Sequence, residues 1–118
     1  MSAASNPATT TPRRPAGNSC AVVDGAAAAL VGRASISNRP VLAHLLATAV
    51  VGVAPEVMGI GPVPAIQLLL QRSGLSLDAI GLLEINEAQG AQVLAVAQAL
   101  ELDGERLNRR GGSIALGH

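Results

Sequence analysis

The chain contains no Phe, Tyr or Trp, and this absence limits its fold more than any other feature of the sequence. Hydrophobic residues make up 49% of its 118 residues, so the core has to be built mainly from Ala, Val, Leu and Ile. These side chains bury less area each than aromatic rings do. At this length folding buries roughly two-thirds of the unfolded surface, which permits one modest domain.

The composition also excludes several classes of partner. Eight basic and eight acidic residues cancel, so charge gives no argument for nucleic acid or an anionic membrane surface. Without aromatic rings the chain has no platform on which a base could stack. A single cysteine, Cys20, excludes an internal disulfide and a multi-cysteine metal site. With no apolar signal segment, we expect a cytoplasmic protein in which residues 1–15 form a disordered leader.

Residues 41–53 are almost continuously apolar, and their pattern is compatible with two structures. The residues at helical spacing are Leu42, Leu45, Leu46, Ala49, Val50 and Val53. However, β-branched residues crowd the second half, and a strand buried on both faces would be equally apolar. Periodicity alone favours a helix.

Glycine and proline mark the next turn. Residues 59–64 contain two of each, and Pro64 is expected to open a helix over residues 65–72. Gly74 then supplies the left-handed cap that ends it.

The following segment predicts a strand and a second helix. Residues 80–85 are typical of a short strand, and Asn86 stands where a helix N-cap would lie. Residues 87–102 predict a helix that is apolar on nearly every side and therefore buried between layers. Together these elements indicate a layered α/β arrangement.

Four motifs, in order, resemble the thiolase family. Residues 16–28 are similar to the segment that lines its coenzyme A tunnel, and residues 57–65 match the turn before a helix of its C-terminal half. Residues 86–88, Asn-Glu-Ala, look like the start of the family's Asn-Glu-Ala-Phe motif. Residues 111–118 resemble the glycine-rich loop that ends in the family's active-site histidine.

The resemblance implies a five-layer α/β fold of two similar halves. Residues 16–40 would supply the last strand of the first half, and residues 41–118 most of the second. It also implies a strand over residues 42–51, against their periodicity. A truncated chain of this kind would need a companion chain or another copy to supply the missing half.

The same resemblance implies roles for individual residues. Asn86 would hold a water aimed at a thioester oxygen, and His118 would donate to that oxygen and help activate a cysteine. Ser19, Cys20 and Ala88 would contact coenzyme A. Without the motifs, the plainer interpretations would be an N-cap for Asn86 and a loose chain end for His118.

Thiolase chemistry uses two cysteines, and the only cysteine here matches neither of them. Cys20 falls where many thiolases have a serine that contacts coenzyme A. Gln89 replaces the usual phenylalanine, and the pair Arg109 and Arg110 would be expensive to bury unpaired. His44 has no motif around it and is expected to be an ordinary surface or strand residue.

The resemblance therefore implies an acyl-CoA acyltransferase, an acetyl-CoA acetyltransferase or 3-ketoacyl-CoA thiolase. It would use coenzyme A as a substrate with no other cofactor, and this chain would be inactive alone. One alternative is a non-catalytic module that binds acyl-CoA or lipid. Another is a degenerate product that aggregates through its exposed apolar surface.

Overall fold

The computed structural model of the protein describes residues 16–33 and 40–118. Two prolines and one glycine set the limits of its longest helix. Helix α1 runs from Pro62 to Ser73 and carries proline in its first turn, where the missing N–H breaks no hydrogen bond. Gly74 ends the helix with a φ of 70°. The predicted helix over residues 65–72 is confirmed, and it begins three residues earlier.

Helix α2, Gly90–Ala99, is shorter than the predicted range of residues 87–102. Its N-cap is Gln89, and no side chain caps it, so the prediction that Asn86 caps this helix is wrong. A short helix α3 spans Ser113–Leu116. The 3-10 helices of the described residues are Ala16–Asn18, Pro55–Ile60, Leu77–Ala79 and Gly104–Arg106.

The small core lies along one side of α2. The buried apolar side chains of the described residues are Leu83, Val93, Val96 and Leu100. Helix α2 packs against α1 and against the 3-10 helix Pro55–Ile60. The opposite side of α2 is open, since Leu94 is 71% exposed. The prediction that this helix is buried on nearly every side is therefore wrong for the side that carries Leu94, and only the side of Val93 and Val96 is buried.

The strand predicted over residues 42–51 does not form. Residues 40–54 contain neither a helix nor a strand, so the helix that their periodicity favours is absent as well. Their large apolar side chains are mostly exposed, with Leu42 98% and Val50 91% exposed. A doubly buried strand needs neighbours on both edges and layers on both faces, and the described residues do not provide them.

The strand predicted over residues 80–85 is reduced to one bridge. Leu83 pairs with Leu107 in parallel, and its N–H donates to the Arg106 carbonyl at 2.8 Å. The Arg106 guanidinium donates to the carbonyls of Leu77 and Ile80 at 3.3 and 3.0 Å. This side chain thus occupies the carbonyl of Ile80, the first residue of the predicted strand.

The α/β layering expected from the sequence is therefore not seen in residues 16–33 and 40–118, where the bridges are isolated and helices predominate. The prediction of a disordered leader, residues 1–15, lies outside the described residues. In the part of the chain that is described, none of the helices combines the length and apolarity needed to cross a bilayer.

Replacing Gly74 with alanine should destabilise the chain by about 1–2 kcal/mol, because a Cβ is unfavourable at positive φ. Nothing lies within 4 Å of that Cβ, so the cost would come from the backbone alone. Gly81→Ala is the matched control, since it also meets open space and has no positive φ. Urea unfolding followed by far-UV circular dichroism measures both, and equal stability of the two variants would contradict the prediction.

Candidate active site

Asn108 joins the Asn-Glu-Ala segment to the chain before the glycine-rich loop. Its Oδ1 accepts from the backbone N–H of Ile85 at 2.8 Å, and its Nδ2 donates to the Ile85 carbonyl at 2.9 Å. The side-chain amide thus continues the pairing that begins at Leu83 and Leu107. Asn108 has a φ of 48°, a conformation that asparagine tolerates better than most residues.

The Glu87 carboxylate connects this segment to the glycine-rich loop itself. Its Oε1 accepts from Asn108 Nδ2 at 3.1 Å, and its Oε2 accepts from the backbone N–H of Ile114 at 3.0 Å. Hydrogen bonds to a charged acceptor are stronger than neutral ones. Gly112 lies directly against the carboxylate, and a Cβ at this position would overlap with it.

Ser113 makes the third connection, and it reaches Asn86. The Ser113 hydroxyl oxygen accepts from the Glu87 backbone N–H at 2.9 Å. The same hydroxyl donates to Asn86 Oδ1 at 2.6 Å. The Asn86 side chain is therefore held by the glycine-rich loop instead of capping α2.

The main chain of residues 19–21 bonds to the Asn-Glu-Ala segment and to the end of the glycine-rich loop. Ser19 forms an antiparallel bridge with Gln89, and the Cys20 N–H donates to the Ala88 carbonyl at 3.3 Å. The His118 N–H donates to the Ala21 carbonyl at 2.9 Å. The thiol of Cys20, which is half-buried, donates to the carbonyl of the next residue at 3.4 Å.

These contacts bring the five predicted site residues onto three adjoining segments. Asn86 and His118 line the same shallow cavity of about 300 Å³, which is largely open to solvent, together with Ser113 and Leu116. Ser19, Cys20 and Ala88 lie beside it without lining it. Within the described residues no group of three or more His, Cys, Asp and Glu side chains could hold a metal ion.

Sequence reasoning missed the residues that hold this arrangement together. From its position alone, Glu87 is predicted to be an acid in the first turn of a helix. Ser113 carries no signal beyond the glycine-rich motif, and Asn108 lies outside the motifs. His44 is exposed in the irregular segment of residues 40–54, away from the cavity. Arg109 and Arg110 are exposed, so the cost of burying them does not arise.

The C-terminal part of the chain matches a known family. The family model described as "Thiolase, C-terminal domain" matches residues 39–118. The chain is 51% identical over 109 residues to a 3-ketoacyl-CoA thiolase of Pectobacterium carotovorum, and the match covers 87% of this chain and 28% of that protein. The chain thus spans a little over a quarter of that relative's length.

Solved structures agree with this match. The crystal structure of the Bacillus anthracis acetyl-CoA acetyltransferase superposes with a TM-score of 0.61 at 49% identity, covering 62% of this chain and 18% of that one. The human mitochondrial 3-ketoacyl-CoA thiolase, crystallised in complex with CoA, gives a TM-score of 0.57 at 53% identity. That superposition covers 58% of this chain and 17% of the human one.

Gly112→Ala should destabilise the chain by about 1–3 kcal/mol, because the new Cβ displaces the Glu87 carboxylate from its two hydrogen bonds. Glu87→Ala should cost a similar amount, and the double variant little more than either. The Gly112 backbone is extended, with a φ of −122°, so no backbone strain contributes. A double-mutant cycle measured by urea unfolding checks this.

Gly104→Ala is the control for that cycle, since its Cβ would meet open space. Its effect should be small and should add to that of Glu87→Ala. Additive costs for Gly112→Ala and Glu87→Ala would mean that the glycine acts in some way other than by making room for the carboxylate.

Proposed function

The chain belongs to the thiolase family, and from this premise we propose that it supplies the asparagine and histidine of a thiolase-type acyltransferase. The observation that carries the proposal is the cavity shared by Asn86 and His118. These residues are 32 positions apart and approach one another through the contacts of Ser113 and Ala21.

The reaction would transfer an acyl group between thioesters through a cysteine thiolate. Attack of the thiolate on a thioester carbonyl places negative charge on the carbonyl oxygen, which hydrogen-bond donors in a prepared position stabilise. The amide of Asn86, through a water, and the imidazole of His118 can both supply such donors. Each donor of this kind contributes on the order of 10²–10³ in rate.

The substrates in this proposal are 3-ketoacyl-CoA and coenzyme A, with coenzyme A as a substrate and not as a resident cofactor. Ser19, Cys20 and Ala88 would lie along the coenzyme A path. What supports this is the hydrogen bond between the Cys20 N–H and the Ala88 carbonyl, beside the Asn86 segment. A related human thiolase has been crystallised with CoA.

The nucleophile is not expected to be Cys20. Its thiol is directed to the neighbouring Ala21 carbonyl, and the residue does not line the cavity of Asn86 and His118. We propose that the nucleophilic cysteine comes from the rest of a thiolase polypeptide or from a companion chain. The outward-facing side chains of Leu42, Leu45 and Val50, each more than three-quarters exposed, would pack against that polypeptide.

We also propose that the protein resides in the cytoplasm. A chain with a single cysteine forms no internal disulfide, which suits a reducing compartment. The alternative of a non-catalytic acyl-CoA or lipid-binding module has no observation in its favour.

The purified 118-residue chain should not catalyse thiolysis of acetoacetyl-CoA, because its only thiol lies outside the cavity. The loss of absorbance of the acetoacetyl-CoA enolate on addition of coenzyme A measures this. Robust turnover that Cys20→Ala abolishes would overturn the assignment of the nucleophile.

A chimera would test the assigned donors where a nucleophile is present. The aligned segment of the Pectobacterium carotovorum thiolase is replaced by this chain, and kcat and KM for thiolysis are measured. His118→Ala and Asn86→Ala should each lower kcat by roughly 10²–10³-fold.

His44→Ala is the matched control in the chimera, since it removes a histidine that does not line the cavity of Asn86 and His118. It should leave kcat unchanged. A His118→Ala chimera as active as the His44→Ala one would rule out the catalytic role proposed for His118.

A further inference from the structure

The Ser113 hydroxyl lies between the Glu87 backbone N–H and the side-chain amide of Asn86. The Glu87 backbone N–H can only donate, so the Ser113 oxygen accepts from it at 2.9 Å. The hydroxyl has one proton of its own, and Asn86 lies 2.6 Å away on the other side. The direction of this second hydrogen bond decides which way the Asn86 amide faces.

The short distance indicates which amide atom faces the serine. Hydrogen bonds from O–H to oxygen span about 2.5–3.0 Å, whereas those from N–H to oxygen span about 2.7–3.2 Å. A separation of 2.6 Å therefore fits a hydroxyl that donates to Asn86 Oδ1. The Glu87 N–H that donates into the same hydroxyl polarises it and strengthens this donation.

This arrangement leaves the Asn86 Nδ2 group for the cavity. The amide is planar, so an oxygen bound to Ser113 turns the NH2 group away from the serine. Among the hydrogen bonds of residues 16–33 and 40–118, none has Asn86 Nδ2 as its donor. Asn86 is exposed and lines the cavity beside His118.

We propose that Ser113 is a positioning residue that fixes the polarity of the Asn86 amide, so that Asn86 presents two N–H donors to the cavity. The group that Asn86 binds must then be a hydrogen-bond acceptor, such as a water oxygen or a carbonyl oxygen. The orientation of the amide does not depend on the proposed function. That the acceptor takes part in the thioester reaction does rest on it.

The loop that carries Ser113 is itself held in place. Ile114, the next residue, donates its N–H to the Glu87 carboxylate, and Gly112, the preceding one, packs against that carboxylate. The residues on both sides of the serine therefore contact the same carboxylate. Without its hydroxyl, the two orientations of the amide would differ little in free energy, because they have the same shape.

Nuclear magnetic resonance of the full chain, labelled with ¹³C and ¹⁵N, tests the orientation directly. In the wild type, nuclear Overhauser effects from the Asn86 side-chain amide protons should be stronger to other cavity-lining residues, such as His118, than to the Ser113 β-protons. In Ser113→Ala both orientations should appear, with the preference reduced by roughly two- to thirteen-fold, the effect of one hydrogen bond. Ser113→Thr, which keeps the hydroxyl, should restore the wild-type pattern.

Ser73→Ala is the matched control, because it removes a serine hydroxyl that bonds to Leu70 O within α1. It should leave the Asn86 signals unchanged. Amide protons that face Ser113 in the wild type would overturn the proposal, and this observation needs no variant to fold. The measurement involves no substrate or turnover, so its outcome is independent of whether the acyl-transfer function holds.

Discussion

The Glu87 carboxylate joins two parts of the candidate site that are distant in the sequence, the Asn-Glu-Ala segment and residues 108–114. Glu87 accepts from Asn108 on one side and from the Ile114 N–H on the other, and its own N–H reaches Ser113. Without this carboxylate the glycine-rich loop would keep its contacts through Ser113, but the Ile114 N–H would lose its acceptor. The glutamate of that motif therefore has a structural role, which sets the positions of the neighbouring asparagine and of the loop that ends in His118.

The ends of α1 could be predicted from the sequence, because proline and glycine act on the local backbone. Proline in the first turn and glycine at positive φ define α1, because both effects are local. The motifs single out Asn86 and His118, and both residues line one open cavity, while their catalytic roles stay a prediction. Glu87, Asn108 and Ser113 were missed because their hydrogen bonds join residues 21 to 27 positions apart, which neither periodicity nor capping rules can detect.

The strand prediction for residues 42–51 failed for a related reason. A strand is stabilised by its neighbours, so its formation depends on residues outside the segment itself. One contact of this segment with α1 is a hydrogen bond from Arg72 Nη1 to the Thr48 carbonyl, at 2.8 Å. Without aromatic side chains to bury, these aliphatic residues gain too little from one another to form a layer of their own.

The N-terminal segment is attached to the site through peptide groups, and this has a consequence for sequence variation. The bonds from the Cys20 N–H to Ala88 and from the His118 N–H to Ala21 are independent of the side chains involved. Positions 20, 21 and 88 can therefore exchange small residues freely while the loop geometry persists. Proline at position 20 is the exception, since it would remove the donor.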